Sequence, residues 1–205
     1  MTEYNYLKVL LDSLDELRKY LENEIGKGNK KFFNEGLINF KLIEFLITNG
    51  IEQKLLHLGH PNRIDISFND KMFIELKYLR EAESEKGNSF AETRKFLELW
   101  KDIIKLSCIG TDFRYVLLVC DNRFYGYLDR NFDSMCKNED KVLNLEKIKD
   151  YVKNSVKNTD TAKKILNKFE SKIDNVTQLK IVKKLSIQKG IENNENLTLM
   201  LYKIN

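Results

Sequence analysis

Proline, glycine and cysteine are scarce in this chain, and long apolar runs are missing. One proline and nine glycines among 205 residues exclude collagen-like, proline-rich and flexible-linker proteins. No apolar run approaches the roughly 18 residues of a transmembrane helix, and the mean hydropathy is -0.46, so no membrane partner is expected. The three cysteines form no CxxC pair, which excludes a disulfide framework. Because the N-terminus also lacks a secretory signal pattern, the expected location is the reducing cytoplasm.

Charge is distributed unevenly along the chain. The net charge is +4, yet residues 141–189 hold 13 lysines and 5 acidic residues, a net of +8, so the remainder sums to -4. This Lys-rich C-terminal region, 141–189, is expected to be helical, and it suits a polyanionic partner such as nucleic acid. The alternative is that these lysines cover the solvated faces of ordinary helices.

Length and hydrophobic periodicity predict a single domain, 1–205, with helices at its N-terminal end. Leucines at spacings of three and four predict an amphipathic helix over 6–24. A second helix is expected over about 34–48, capped by Asn34 and ended by Asn49 and Gly50. Its expected buried face consists of Leu37, Phe40, Leu42, Ile43, Leu46 and Ile47.

The middle of the chain alternates between apolar and polar residues, as β-strands do. Two strands over 64–68 and 72–78 are predicted, joined by a turn at 69–71. The further elements expected, in chain order, are a helix over about 91–108, a buried strand over 114–120, an outer strand over 124–129, Lys-rich helices over about 144–157 and 160–173, and a closing strand over 196–204. Since a helix joins 72–78 to 114–120, these two strands should be parallel. The prediction is an α/β fold with a mixed β-sheet flanked by helices.

Three charged side chains interrupt the two apolar strands: Asp65, Glu75 and Lys77. Charge in a central strand is costly unless it is paired or bound to metal. In an antiparallel hairpin with a three-residue turn, the numbers of opposed residues sum to 140, so Asp65 lies opposite Glu75 and Lys77 follows on the same face. The opposite face then carries the apolar side chains Ile64, Ile66, Ile74 and Leu76.

Two facing carboxylates repel each other, so they either raise one pKa or recruit a cation. All-oxygen ligation favours Mg²⁺, with Mn²⁺ as a substitute. A neighbouring ammonium group can orient a metal-bound water and stabilise negative charge on a phosphate. The three residues are therefore arranged for metal-assisted hydrolysis of a phosphodiester. The non-catalytic alternative for Glu75 and Lys77 is a solvated ion pair on a surface strand.

At these positions the sequence resembles the PD-(D/E)XK nuclease superfamily, which has the restriction-endonuclease-like fold. The matching pattern is Asp65, nine residues, and then Glu75-Leu76-Lys77. Glu35 is similar to the acidic residue that many members carry on the helix before the hairpin, although it could equally be an acid placed by the helix dipole. The resemblance covers about residues 33–128, which would be the nuclease core. It departs from the pattern in lacking a proline directly before Asp65, since Pro61 lies four residues earlier.

The resemblance implies a role for each matching residue. Asp65 and Glu75 would bind the metal ion, with the Leu76 carbonyl as a further ligand. Lys77 would act on the attacking water, and Glu35 would be an outer or second-metal ligand.

Residues near the pattern are candidates for nucleic-acid contacts. Arg63 shares the polar face with Asp65, where it contacts either the scissile phosphate or a carboxylate. Tyr78, Arg80 and Lys86 lie at or in the polar loop after Lys77, where substrate contacts are common. Lys95, Lys101 and Lys105 are expected on the solvated face of the following helix.

The resulting prediction is a Mg²⁺-dependent endonuclease that cuts DNA, most simply double-stranded DNA, in a type II restriction system or another phage-defence system. Cutting both strands favours a homodimer, with the helix over 6–24 and the C-terminal helices as candidate contacts. Two alternatives remain open: a repair or junction-specific nuclease, and a nucleic-acid-binding module that keeps the fold without catalysis.

Overall fold

The computed structural model describes residues 3–58, 64–79, 89–111, 113–121, 124–126, 128, 150, 179–187 and 196–204. Three α-helices are described over their full length: α1 (Glu3–Gly26), α2 (Glu35–Thr48) and α3 (Ser89–Ser107). The strands are β1 (Leu56–Leu58), β2 (Ile66–Phe68), β3 (Met72–Leu79), β4 (Phe113–Asp121), β5 (Leu179–Ile187) and β6 (Leu197–Ile204). No helix in the described ranges is both long enough and apolar enough to cross a membrane.

The described strands form one mixed sheet in the order β1-β2-β3-β4-β6-β5. β1, β2 and β3 form an antiparallel meander, and α3 then connects β3 to β4, which pairs with β3 in parallel. β6 lies antiparallel between β4 and β5. The predicted α/β class, the parallel crossover and the closing strand are confirmed, whereas β1 was not predicted.

Both faces of the sheet are covered by helices. On one face α1 and α2 pack against the even-numbered residues of β3. On the other face α3 packs Phe96 and Trp100 against Phe73, Val116 and Leu118. A strand buried on both faces explains the unbroken apolar run of β4, as predicted.

The leucine stripe of α1 packs into the core of the protein. Seven apolar side chains of α1 are buried in the core beneath the sheet: Tyr6, Val9, Leu10, Leu14, Leu17, Leu21 and Ile25. The predicted N-terminal helix is therefore confirmed, but its apolar face is not available as the dimer contact suggested by the sequence.

Local signals set the ends of α2 as predicted. The Asn34 side chain accepts a hydrogen bond from the Leu37 N–H at 2.9 Å, which caps the helix start. At the other end Gly50 adopts φ +106°, a left-handed conformation that glycine tolerates. The Ile51 N–H then reaches back to the Leu46 carbonyl, and both side chains are buried together, as in a Schellman motif.

The predicted buried face of α2 was partly wrong. The fully buried side chains are Ile38, Leu42 and Leu46, whereas Phe40 and Ile47 are exposed. Apolar residues occur on nearly every side of this helix, so periodicity alone does not select the inner stripe. The exposed Phe40 ring lies 5.9 Å from the Lys41 ammonium group.

Two predicted elements after β4 were also wrong. Residues 124–126, expected in an outer strand, are helical. The Phe124 N–H donates to Asp121 Oδ1 at 2.8 Å, as at a helix N-cap, and Phe124 and Leu128 are both buried at the i, i+4 spacing of a helix.

Residues 179–187, placed in the Lys-rich helical region, form β5. A register shift between Ile181 and Lys183 interrupts the strand periodicity and hides it in the sequence. Lys183 forms an ion pair with Asp15 of α1, so part of the basic region serves packing within the chain. The predicted helices over 144–157 and 160–173 lie outside the described residues.

We expect Asn34→Ala to lower the free energy of unfolding by about 1 kcal/mol, because the Leu37 N–H loses its acceptor. Urea unfolding at equilibrium measures the difference. Asn34→Ser, which retains an acceptor oxygen, should recover most of the loss. Equal destabilisation by both substitutions would contradict the capping role.

Candidate functional site

β3 is much longer than its partner β2. β3 has 8 residues and β2 has 3, and their paired register ends at Ile66↔Ile74. Beyond that pair, the edge of β3 that faced β2 needs other hydrogen-bond acceptors for its N–H groups. Two carboxylates supply them. Asp65 Oδ2 accepts from the Leu76 N–H at 2.8 Å, and Glu35 Oε2 accepts from the Tyr78 N–H at 3.3 Å.

The hairpin has the predicted register, since Ile66↔Ile74, Ser67↔Phe73 and Phe68↔Met72 are the opposed pairs. Asn69 and Asp70 both have positive φ, at 47° and 51°, which these two residue types tolerate and which a tight hairpin turn requires. One more step along this register brings Asp65 to Glu75.

One detail of the predicted hairpin was wrong. Ile64 packs in the cluster beneath α3, whereas Ile66, Ile74 and Leu76 pack beneath α1 and α2. The regular strand begins only at Ile66, and Asp65 turns its side chain toward the β3 backbone, so the alternation of faces does not extend to Ile64.

Lys77 lies between carboxylates from two helices on opposite faces of the sheet. Its Nζ atom is 3.4 Å from Glu35 Oε1 of α2 and 3.1 Å from Asp102 Oδ2 of α3. Burial opposes the charge on this amine, but Asp102 and then Glu35 outweigh that effect, so the pKa of Lys77 lies above its usual value. Lys77 is therefore an ammonium ion at neutral pH.

Glu75 is the most deeply buried acid of the group, with 2% of its surface exposed. It forms an ion pair with Lys105 of α3. Burial raises the pKa of Glu75 above its usual value, and the nearby charges of Asp102 and Asp65 act in the same direction, whereas Lys105 partly offsets them. This is the raised pKa expected where carboxylates are crowded.

Two residues of the site were missed in the sequence. Asp102 is 3% exposed and contacts Lys77, and Lys105, which was expected on a solvated face, contacts both Glu75 and Asp102. The burial of Asp102 could have been predicted from the sequence, because its neighbours at i-3 and i+4, Leu99 and Leu106, are both core residues on the same side of the helix. An acid within such a stripe requires a buried partner.

The charges of the site do not cancel. Four carboxylates surround two ammonium groups, which leaves a net of -2 when all six are ionised: Asp65, Glu75, Asp102 and Glu35 against Lys77 and Lys105. A divalent cation would balance this excess.

The candidate ligands are all oxygen atoms, which are the donors that Mg²⁺ and Mn²⁺ prefer. The described ranges contain no group of three His, Cys, Asp or Glu side chains gathered closely enough to bind a metal on their own. Mg²⁺ commonly uses one or two carboxylates and completes its shell with water and phosphate oxygen atoms. Asp65, Glu75 and the Leu76 carbonyl, which shares the strand edge of the Leu76 N–H, meet that requirement.

The other predicted contact residues are less well placed. Arg63, Arg80 and Lys86 lie outside the described residues. The Tyr78 side chain is half-buried and packs against the core beneath α1 and α2, while its N–H binds Glu35. Their roles in nucleic-acid binding stay predictions.

No protein-family model, curated protein or solved structure matches this chain. The resemblance to PD-(D/E)XK nucleases therefore stays a prediction made from the residues.

Without divalent cations, the free energy of unfolding should fall as pH rises from about 4.5 toward neutral, because the pKa of Glu75 is raised in the folded state. In the lower part of this interval the folded state keeps a proton on Glu75 that the unfolded state has released, so a rise in pH favours unfolding until Glu75 ionises in its ion pair with Lys105. Urea unfolding in EDTA across this range measures the slope, and Glu75→Gln should flatten it. The control is Glu22→Gln, at an exposed acid on α1, which should leave the slope unchanged. A slope that persists in Glu75→Gln would contradict the assignment.

Proposed function

We propose that this protein is a metal-dependent endonuclease that hydrolyses phosphodiester bonds in DNA. The observation that carries the proposal is the grouping of Asp65, Glu75 and Lys77 at the open end of the β2–β3 hairpin. The order helix, antiparallel hairpin, helix and parallel strand supports the resemblance to the restriction-endonuclease-like fold.

Asp65, Glu75 and the Leu76 carbonyl are the groups that would bind Mg²⁺ or Mn²⁺. A cation bound there would polarise the phosphate and lower the pKa of a bound water. Asp65 is fixed by the Leu76 N–H, so one of its oxygen atoms is oriented by the backbone and the other can serve as a ligand.

Lys77 would act as a charge and as a hydrogen-bond donor. Since its pKa is raised, it is protonated before substrate arrives, and an ammonium ion has no lone pair to accept a proton from water. Its role is to orient the attacking water and to stabilise negative charge on the phosphate. Glu35, 43% exposed at the side chain, holds Lys77 from the solvent side and could face a second cation.

A type II restriction or other phage-defence role remains the proposed setting, with double-stranded DNA as substrate. Cutting of both strands by one site per chain would require a two-fold dimer. The stripe of α1 is buried, so such a dimer would have to use another surface.

The test is cleavage of supercoiled plasmid and phage DNA in Mg²⁺, in Mn²⁺ and in EDTA. Lys77→Met removes the ammonium group but keeps most of the apolar stem, so we expect a fall in rate of about 10²-fold or more. The matched control is Lys101→Met, on α3 but outside the ion-pair network described above, and it should retain the wild-type rate.

The DNA cleavage products distinguish a restriction enzyme, a repair or junction nuclease and a non-catalytic module. Discrete bands indicate sequence-specific cutting, and selective cutting of branched DNA indicates a repair or junction nuclease. Metal-dependent cutting that Lys77→Met leaves unchanged would overturn the role of Lys77. Binding of DNA without cutting of duplex, single-stranded or branched substrates would favour the non-catalytic module.

A further inference from the structure

Five charged side chains of the site form a chain of alternating sign. In order, the groups are Glu35, Lys77, Asp102, Lys105 and Glu75. Lys77 joins the first pair of carboxylates, at 3.4 and 3.1 Å, and Lys105 joins the second pair. Asp65 stands outside the alternation, beside Glu75, and accepts a hydrogen bond from the Leu76 N–H.

The placement of Lys105 is informative because Lys105 contacts two carboxylates of this chain of charges. It forms an ion pair with Glu75 on β3 and lies 3.4 Å from Asp102 Oδ1, one turn earlier on its own helix. Its side chain is 21% exposed, whereas those of Glu75 and Asp102 are 2% and 4% exposed. The ammonium group therefore has a flexible stem, access to solvent and a second buried carboxylate within reach.

The charge balance of the site depends on whether Lys105 pairs with Glu75 or with Asp102. With Lys105 on Glu75, Asp102 shares Lys77 with Glu35, and Asp65 forms no ion pair within the part of the chain that the structure describes. With Lys105 on Asp102, the four groups Glu35, Lys77, Asp102 and Lys105 sum to zero. Glu75 and Asp65 then form a dianionic pair, which matches the charge of one divalent cation.

We propose that Lys105 is an internal cation of the site, which neutralises Glu75 while no divalent cation is bound and transfers to Asp102 when a divalent cation binds Glu75 and Asp65. This inference depends on the proposed metal site. It makes Lys105 a competitor of the metal ion, so Lys105 sets how tightly the cation binds.

Competition between Lys105 and the metal ion for Glu75 affects both metal affinity and stability. A cation that enters must displace the ammonium group from Glu75, and the loss of that buried ion pair opposes binding. Removal of Lys105 removes this opposition, but it leaves Glu75 and Asp102 with less neutralising charge in the metal-free protein. Metal affinity and metal-free stability should therefore change in opposite directions.

The test uses Lys105→Met and Mn²⁺ as the probe, with free Mn²⁺ measured by electron paramagnetic resonance and no DNA present. We expect the dissociation constant for Mn²⁺ to fall on the order of tenfold. In EDTA the variant should melt at a lower temperature than the wild type, and Mn²⁺ should raise its melting temperature by more. Lys101→Met should match the wild type in both measurements.

Equal or weaker Mn²⁺ binding by Lys105→Met, with normal binding by the wild type, would overturn the inference and leave the proposed metal site standing. Absence of Mn²⁺ binding by the wild type, with Glu75→Gln as the reference, would overturn both.

A measurement on the wild type covers the case in which Lys105→Met does not fold. Acylation of lysines by an amine-reactive ester, read by mass spectrometry, should label Lys105 faster in saturating Mn²⁺ because its ion pair with Glu75 has been lost. Lys101 is the internal reference. An unchanged ratio of Lys105 to Lys101 labelling would contradict the transfer.

Discussion

The site depends on the early end of β2, which leaves the rest of β3 without a paired strand along that edge. β3 continues for several residues after its pairing with β2 has ended, and the N–H groups along that edge must find acceptors because unpaired buried amides are costly. Asp65 and Glu35 provide the acceptors for Leu76 and Tyr78. The same mismatch that opens the sheet therefore fixes two carboxylates beside Glu75 and Lys77.

Packing alone accounts for some of these charges and not for others. Asp65 and Glu35 serve the strand edge, so their positions have a structural reason independent of catalysis. Glu75 and Asp102 bind no backbone amide among the contacts described, yet both are almost fully buried. Buried ion pairs add little net stability compared with apolar side chains of similar size. The cost of burying Glu75 and Asp102 with Lys77 and Lys105 is therefore the stronger argument for function.

Much of the fold could be predicted because local signals and long-range pairing agree. Asn34 and Gly50 set the ends of α2, and Asn69 and Asp70 allow the turn that fixes the hairpin register. The failures share a cause: they depend on tertiary contacts that no local period records. β5 contains a register shift, α2 is apolar on several sides, and Lys105 looks like a surface residue until the helix is placed over Glu75.

The open end of the hairpin resolves a conflict that a hydrolytic site of the proposed kind would face. Strong electrostatic effects require a site of low dielectric, whereas a polymeric substrate requires access from solvent. Exposure within the ion-pair network falls from 43% at Glu35 to 18% at Lys77 and 2% at Glu75. A sheet with β2 and β3 of equal length would close this path with backbone hydrogen bonds. The early end of β2 leaves Glu75 buried under α3, whereas Lys77 and Glu35 remain partly exposed. Under the proposed function, the same strand edge would therefore combine a buried carboxylate with charged groups that a phosphate could reach.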